Sequence, residues 1–116
     1  MRIFRWQKGR QKSGYDKMLL ATAKRFPLPF DLYLLRFNEG SEVPLHKDPV
    51  RLGEHYRLNI VLKKAKRGGE FICQEMLWQT SRIKYFRSDI SEHAVTKVSQ
   101  GTRYVLSLGW LKKNKP

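Results

Sequence analysis

Three side chains in this sequence have the chemical types and the spacing to bind a metal ion. His46 and Asp48 are two residues apart, and alternate residues of an extended strand point to the same side. An imidazole nitrogen and a carboxylate oxygen from this pair can therefore reach one point in space. His93, in a later segment, could supply a third ligand from the opposite wall of a barrel.

This donor set indicates a particular kind of metal chemistry. Two histidines and one carboxylate form the facial triad of non-haem Fe(II) sites, which leaves coordination positions open for O2 and a co-substrate. The alternative is structural: His46 would be a turn histidine near Pro44, and Asp48 would start a turn before Pro49. Because a His-x-Asp pair arises often by chance, these residues alone leave both interpretations open.

The net charge indicates which partners the protein can attract. Its 116 residues include 24 Lys and Arg against 10 Asp and Glu, a formal net charge of +14. Such a field attracts polyanions and acidic protein surfaces; a solvated face that aids solubility is an equal alternative. If the charge serves binding, the expected partner is a macromolecular substrate, either protein or nucleic acid.

Composition excludes several classes of protein. Hydrophobic residues make up 41% and aromatic residues 12% of the chain, enough for a core and incompatible with wholesale disorder. No stretch approaches the ~20 apolar residues of a membrane helix, and residues 1–8 lack a signal-peptide pattern. Cys73 is the only cysteine, which excludes an internal disulfide and favours a reducing compartment. We expect one cytoplasmic domain over residues 1–116, monomeric and without membrane contact.

The elements that position the candidate ligands begin with a basic segment and a helix. Residues 1–13 are expected to form a basic arm or a short edge strand. A helix is predicted over residues 15–25, because the apolar residues between Met18 and Thr22 follow a helical spacing and Pro27 ends the segment.

After the helix the apolar pattern changes to a period of two, which is typical of strands. The predicted strands cover residues 31–37, 57–62, 70–73, 82–87, 93–98 and 103–108. Ser99, Gln100 and Gly101 separate the last two, and this turn sequence predicts a hairpin. Short strands at this spacing indicate a small all-β barrel or sandwich with one packing helix.

Four stretches of sequence around the candidate ligands match one known pattern in the right order. They are Arg-Phe-Asn-Glu-Gly at 36–40 ahead of His46, Gly-Gly-Glu-Phe at 68–71, Ser-Glu-His-Ala-Val at 91–95, and Gly-Thr-Arg at 101–103 followed by Trp110. Together they resemble the Fe(II)- and 2-oxoglutarate-dependent oxygenases, in particular the prolyl 4-hydroxylase-like branch. The resemblance covers about residues 31–110.

This resemblance implies a fold and a reaction. The implied fold is mainly β, a minimal double-stranded β-helix (jelly roll, cupin-like), with the N-terminal helix packed on the larger sheet and residues 31–110 as the catalytic core. The implied reaction uses Fe(II), 2-oxoglutarate and O2 to hydroxylate a C–H bond, with decarboxylation of 2-oxoglutarate to succinate. The resemblance favours a protein side chain as the substrate.

The resemblance also implies roles for individual residues. His46, Asp48 and His93 would ligate Fe(II). Arg103, ten residues after His93, would pair with the distal carboxylate of 2-oxoglutarate, a contact suited to a two-pronged donor. A surface arginine is the alternative for Arg103.

Further candidates lie on the same predicted strands. Ser107 shares a strand face with Arg103 and could bond to the same carboxylate. Asn59 could hydrogen-bond the co-substrate or satisfy backbone groups. Tyr33 could contribute a hydroxyl on the inner face or serve as a core aromatic. Asp89 is either a turn residue or the group that orients His93.

Departures from the family pattern bear on the substrate. Phe37 and Val43 stand where the hydroxylase branch has tyrosines, and Arg103 stands where collagen-type enzymes have lysine. Gly109 stands six residues after Arg103, where AlkB-type demethylases carry a second arginine.

Two alternatives therefore stay open beside protein hydroxylation. One is oxidation or demethylation of a nucleic acid base, suggested by the net charge of +14. The other is a catalytically silent basic binding module. Substrate choice is expected to reside on the rim, in residues 50–56, 63–67 and 74–81.

Overall fold

The computed structural model describes residues 3–9, 14–23, 29–48 and 53–112, and in these ranges every regular element is a strand. The strands are β1 (Trp6–Lys8), β2 (Asp16–Ala23), β3 (Phe30–Phe37), β4 (Val43–His46), β5 (Glu54–Lys63), β6 (Arg67–Gly68), β7 (Phe71–Cys73), β8 (Trp78–Gln79), β9 (Ile83–Arg87), β10 (His93–Val95), β11 (Val98–Gln100) and β12 (Arg103–Lys112). The described residues include no helix that could cross a membrane. The protein is mainly β, as the period-two pattern predicts.

The strands form one large and two small antiparallel sheets. The large sheet has the order β1-β2-β3-β12-β5-β9-β8, so that β12 lies at its centre. One small sheet has the order β4-β10-β7, and the other pairs β11 with β6. The buried core lies between the large sheet and the small ones. Its members are Phe37, Val43, Val61, Val95, Val98 and Val105.

Burial alternates along the central strand β12. Arg103, Val105, Ser107 and Gly109 are buried, whereas the residues between them are only partly buried. The buried set points inward toward the small sheets, since successive side chains of a strand point to opposite faces. Arg103 and Ser107 are polar residues in this set, and buried polar groups on an inner face need partners.

The helix predicted over residues 15–25 is wrong. The segment forms β2, which pairs with β1 and β3, and the last residues of the predicted helix lie outside the described ranges. The register of β2 against β3 shifts between Leu19 and Ala21. This bulge places Met18 and Ala21 on one face and Leu19 and Thr22 on the other. A bulged strand therefore reproduces a spacing of three residues, which is part of the pattern that indicated a helix.

The hairpin predicted around Gly101 is also wrong. Strand β10 pairs with β4 and β7, and β11 pairs with β6, whereas β12 enters the large sheet between β3 and β5. Gly101 has a φ of 87°, a backbone conformation that favours glycine, where the chain passes from a small sheet to the large one. His93 and Arg103 therefore approach the interior from different sheets.

The other predicted strands occur with shifted ends. Strands β3, β5 and β12 extend beyond the predicted ranges, and the single strand predicted over 93–98 is divided into β10 and β11. The strand assumed to carry both His46 and Asp48 is only partly right, because β4 ends at His46 and Asp48 lies in the loop after it. The β4 sequence Val-Pro-Leu-His contains a proline, which weakens any prediction of a strand.

Candidate metal centre and adjoining cavity

The pairing of β4 with β10 brings the three candidate ligands together. His46 and His93 are register partners, and their ring centroids lie 4.3 Å apart. His46 Nε2 is 3.5 Å from Asp48 Oδ1, and His93 Nε2 is 3.4 Å from Asp48 Oδ2. One donor atom from each residue lies within 4.8 Å of the other two. This geometry could hold a single metal ion.

Backbone carbonyls hold both imidazole rings in the orientation that a metal requires. His46 Nδ1 lies 2.7 Å from the carbonyl oxygen of Pro44, and His93 Nδ1 lies 2.9 Å from that of Ser91. A carbonyl oxygen only accepts hydrogen bonds, so each Nδ1 carries the proton and each Nε2 presents a lone pair. Both Nε2 atoms face Asp48, which is the arrangement expected for metal-ligating histidines.

A backbone hydrogen bond that no sequence motif indicates holds Asp48 in position. Its N–H donates to the carbonyl oxygen of Ser88 over 2.8 Å. Ser88 is completely buried, and its hydroxyl bonds to His55 Nδ1. Ser88 therefore fixes the loop that carries the carboxylate, and His55 supports Ser88 from the mouth of the cavity.

The ionisation of Asp48 suits a metal ligand. Burial acts to raise the pKa of this carboxyl, but the hydrogen bond and charge that His93 supplies when its ring is doubly protonated, and the charges of a protonated His46 and of Arg57, lower it overall. The carboxylate is therefore ionised at neutral pH, which is the form that binds a cation.

A cavity of about 370 Å³ adjoins the three ligands. Its walls include the inward side chains of β3, β5 and β12. All four residues predicted for the co-substrate site line it: Tyr33, Asn59, Arg103 and Ser107. The structure thus brings every predicted site residue to one cavity.

Arg103 is a buried charged group of this cavity without a counterion among the described residues. It is 4% exposed, its guanidinium carbon lies 5.0 Å from the centre of the Phe37 ring, and no hydrogen bond or ion pair joins its side chain to any described residue. Burial lowers its pKa to about 10, so the side chain is still charged at neutral pH. A buried charge without a partner is costly, and an anionic ligand would supply one.

Ser107 and Asn59 are bonded to each other and to Arg57. Ser107 donates to Asn59 Oδ1 over 2.5 Å and accepts from Arg57 Nη1 over 2.7 Å. Arg57 Nη2 also donates to Asp31 Oδ1 over 3.1 Å. The hydroxyl of Ser107 thus already donates one bond and accepts another, and direct bonding to a co-substrate would require this network to rearrange.

Arg57 also lines this cavity. It lies two residues before Asn59 on β5, so the strand pattern predicts that both point inward, and it is the first alternative to Arg103 as an anchor for the co-substrate. A Cβ atom on Gly109 would lie 2.3 Å from Arg57 Nη2. The guanidinium therefore occupies the space that any side chain at position 109 would need.

Tyr33 is an inward residue with a neutral hydroxyl. Burial and the charge of Asp31 raise its pKa, and the charge of Arg57 offsets part of this. Lys17 Nζ lies 5.3 Å from the centre of the Tyr33 ring. The side chain therefore offers a protonated phenol and an aromatic face to the cavity, so both predicted roles are compatible with its position.

Asp89 does not orient His93. Its carboxylate accepts from Arg87 over 2.9 and 2.6 Å, and Arg87 also bonds to Glu54 over 3.3 Å. The proton on His93 Nδ1 faces a backbone carbonyl instead. Asp89 is a turn residue held by a neighbouring arginine, the alternative that the sequence left open.

Comparison with known proteins shows the fold and leaves the activity open. No family model matches the sequence, and no curated protein is significantly similar to it. A prolyl-4-hydroxylase from Pseudomonas putida superposes with a TM-score of 0.70 at 13% identity, over 95% of this chain and 78% of that chain. The viral collagen prolyl hydroxylase of Paramecium bursaria Chlorella virus-1, solved with 2OG, gives 0.63 at 14% identity over 88% and 81%. A cupin-2 domain protein from Rhodospirillum rubrum gives 0.60 at 12% over 97% and 71%.

These likenesses define the class of fold. The chain has a cupin-like β fold of the kind also found in prolyl hydroxylases. Proteins with this fold differ widely in activity, so function has to be argued from the site.

Proposed function

We propose that the protein is an Fe(II)- and 2-oxoglutarate-dependent dioxygenase that hydroxylates a C–H bond. The observation that carries this proposal is that a His-Asp-His donor set and an unpaired buried arginine line the same cavity. We also propose that the cupin-like fold is a double-stranded β-helix and that residues 1–116 form one domain.

The donor set supports Fe(II) as the metal. Two neutral imidazole nitrogens and one carboxylate oxygen, from His46, His93 and Asp48, are the ligands of non-haem Fe(II) sites, and they leave positions open toward the cavity. Bound Fe(II), with 2-oxoglutarate and O2, would supply the oxidising power for hydroxylation. The protein's own part is to hold the ligands in position and to surround the site with apolar walls such as Phe86 and Val105.

The unpaired arginine supports a dicarboxylate as the co-substrate. A ligand bound to the metal through one end would extend its other carboxylate into the cavity. Arg103 can meet this group with two N–H donors. Arg57 is a weaker candidate, because Asp31 and Ser107 already accept its hydrogen bonds.

A protein side chain is the substrate that we propose first. Two of the proteins with the same fold are prolyl hydroxylases, and the sequence motifs resemble that branch. Phe37 and Val43 belong to the buried core, so the missing tyrosine hydroxyls leave this part of the wall apolar. Replacement of these tyrosines reduces the number of hydroxyl groups that could contact the co-substrate, but it does not change the metal ligands.

The test is conversion of 2-oxoglutarate to succinate by the purified protein with added Fe(II). We expect slow, metal-dependent succinate formation even without the macromolecular substrate, and none in Asp48→Ala. Lys112→Gln, an exposed position at the far end of β12, is the matched control and should behave as wild type. Failure of the wild-type protein to form succinate, alone and with cell extracts, would contradict the proposal.

A basic cavity favours a nucleic acid base as the second candidate substrate. A cavity of about 450 Å³ also has Arg103 in its wall, and it contains several other cations: Lys64, Lys66, Arg67 and Lys84. Glu70 is the one carboxylate among its described lining residues. Such a wall suits phosphate groups, and the salt dependence discussed below distinguishes this candidate from the first.

A further inference from the structure

The outer face of the large sheet is apolar over most of its area. Because side chains alternate along a strand, the neighbours of the inward cavity residues point outward. On the three central strands these outward residues are Leu32 and Leu34 of β3, Leu106, Leu108 and Trp110 of β12, and Tyr56, Leu58 and Ile60 of β5. Each is only partly buried, in contrast to the inward residues of β12.

No described element covers this face. Both small sheets contribute their buried residues, such as Val43, Val95 and Val98, to the core on the opposite side. The segment that was expected to pack on the sheet as a helix is β2, which widens the sheet instead. The apolar side chains are therefore left without a protein partner from the described part of the chain.

The face carries an aromatic cluster at one end. Tyr56, Tyr85 and Trp110 lie on three neighbouring strands with ring centroids 5.7 to 6.0 Å apart and ring planes within 21° of parallel. Rings that hold one another in place in this way give a large apolar contact area, which suits an interface.

Its size fits a subunit interface. At about 4.8 Å between strands and about 3.3 Å per residue, the five longer strands present a face of about 24 by about 26 Å, on the order of 600 Å². This is the upper end of what monomers expose, roughly 300–600 Å². Strands β1 and β8 add three and two residues and bring the area to about 700 Å², somewhat below the ~800 Å² that each partner buries in a standard interface.

Ion pairs lie at both edges of the face. At one edge Arg36 pairs with Asp16 over 2.9 Å, and at the other Arg87 pairs with Asp89 over 2.6 Å. These pairs reduce the repulsion that a second copy would meet at this face, in spite of the net charge of +14.

We propose that this face is the interface of a homodimer in which two large sheets pack face to face. Two sheets pack in this way about 10 Å apart, with their strands about 30° from alignment. The same face on a second copy supplies an apolar surface of matching size, as a two-fold interface requires. Because β12 is the fourth of seven strands, Leu106 and Leu108 of the two copies meet near the axis. This replaces the monomer expected from the sequence and does not depend on the proposed activity.

Sedimentation velocity of the whole protein tests the dimer. We expect micromolar wild-type protein to sediment with twice the mass of the 13.8 kDa chain, and Leu108→Glu to sediment as a monomer, because an unpaired charge would be buried at the centre of the interface. Ile72→Glu is the matched control, since Ile72 is 50% exposed on a small sheet, and it should remain dimeric.

The variant Leu108→Ala keeps the test decisive if the charged variant does not fold. It should raise the dimer dissociation constant at least about tenfold, as truncation at the centre of an interface does. A monomeric wild-type protein would overturn the proposal. So would a dimer that Leu108→Ala and Leu108→Glu leave unchanged while both retain the wild-type circular dichroism spectrum.

Discussion

Arg103 is the residue whose surroundings say most about the site. Its guanidinium is buried beside the Phe37 ring without an anionic partner among the described residues, while Arg57 in the same cavity is bonded to Asp31 and Ser107. The two arginines therefore differ in what they can offer a ligand. Arg103 has free donors, and Arg57 holds the opposite part of the wall in place.

Substitution of Arg103 by methionine should weaken 2-oxoglutarate binding and leave metal binding nearly intact. A charge-assisted hydrogen bond contributes about 1.5–3 kcal/mol, so the dissociation constant should rise at least about tenfold. Calorimetry on the Mn(II)-substituted protein measures both affinities. Arg57→Met is the matched comparison and should weaken 2-oxoglutarate binding less. Equal affinity in Arg103→Met and wild type would assign the anchor to another residue.

Gly109 and Arg57 should be energetically coupled. Gly109→Ala places a methyl group where the Arg57 guanidinium lies, which forces it away from Ser107 and Asp31 and should cost about 1–3 kcal/mol of unfolding free energy. In an Arg57→Ala background the same substitution should cost much less, since the space is then empty. Urea unfolding of the wild-type protein, the two single variants and the double variant measures the coupling free energy between the two positions. Additive changes in unfolding free energy would show that Gly109 does not serve to make room for Arg57.

At the level of strands, the register between β4 and β10 brings the metal ligands together. The pairing of β4 with β10 sets His46 opposite His93, and the loop after β4 returns Asp48 to both rings. The sequence predicted the three ligands from residue types and an extended strand through His46 and Asp48, but no bounds for that strand, which ends at His46. The Val-Pro-Leu-His segment has no clear strand pattern of its own, so it forms a strand because it pairs with β10.

The sequence predicted the long strands well and the N-terminal segment badly, for a physical reason. Strands β3, β5 and β12 alternate in a regular way, so residues such as Asn59 and Ser107 could be assigned to the inner face. In β2 the bulge after Leu19 breaks that alternation and imitates a helix. The Gly101 turn looked like a hairpin, but residue types alone do not say which sheet the next strand joins. Pairings among Arg57, Ser107 and Asn59 likewise depend on three-dimensional packing.

The edge pairing of β2 with β3 should depend on Asp16. This carboxylate accepts from Arg36 and from Asn38, and Asp16→Ala should lower the unfolding free energy by about 1.5–3 kcal/mol. Lys8→Ala is the control: the Lys8 side chain is 89% exposed and 3.5 Å from Asp16, so the change should be small. Chemical unfolding compares the two variants, and equal effects would contradict this assignment.

The same carboxylate should give stability a pH dependence. Burial acts to raise the pKa of Asp16, but the hydrogen bonds and charges of Arg36 and Lys8 lower it below the ordinary value of 3.8. Because the folded-state pKa is lowered, the stabilisation is present above that value and is lost as the pH falls through the folded-state pKa. The unfolding free energy of Asp16→Ala should therefore fall less than that of the wild-type protein as the pH is lowered through this range.

At the scale of the whole described structure, the apolar face and the basic cavity lie in separate places. The outer face of the large sheet is apolar, with ion pairs at its edges, and the loop from β5 to β6 with its neighbours concentrates cations around the second cavity. An anionic ligand that approaches near Arg103 would therefore meet a positively charged wall. This separation allows a dimer and a polyanion site on the same small chain.

Binding to a single-stranded oligonucleotide tests whether those cations meet a nucleic acid. If the second candidate substrate is right, affinity should fall steeply with salt, and Lys64→Gln with Lys66→Gln should reduce the slope by about 0.7 per lysine. Lys112→Gln, at the other end of β12, should change the slope less. Fluorescence anisotropy at several salt concentrations measures this. A salt-independent affinity, or none at low salt, would favour the protein substrate.

Anaerobic titration with Fe(II) and 2-oxoglutarate tests the central claim most directly, because a charge-transfer band in the visible spectrum requires both to bind at one centre. The wild-type protein should develop this weak band at one equivalent of iron, and so should Lys112→Gln. His46→Ala and Asp48→Ala should not, since each removes one of the three ligands that the structure brings together. A band that persists unchanged in either variant, or that never forms in the wild-type protein, would contradict the account.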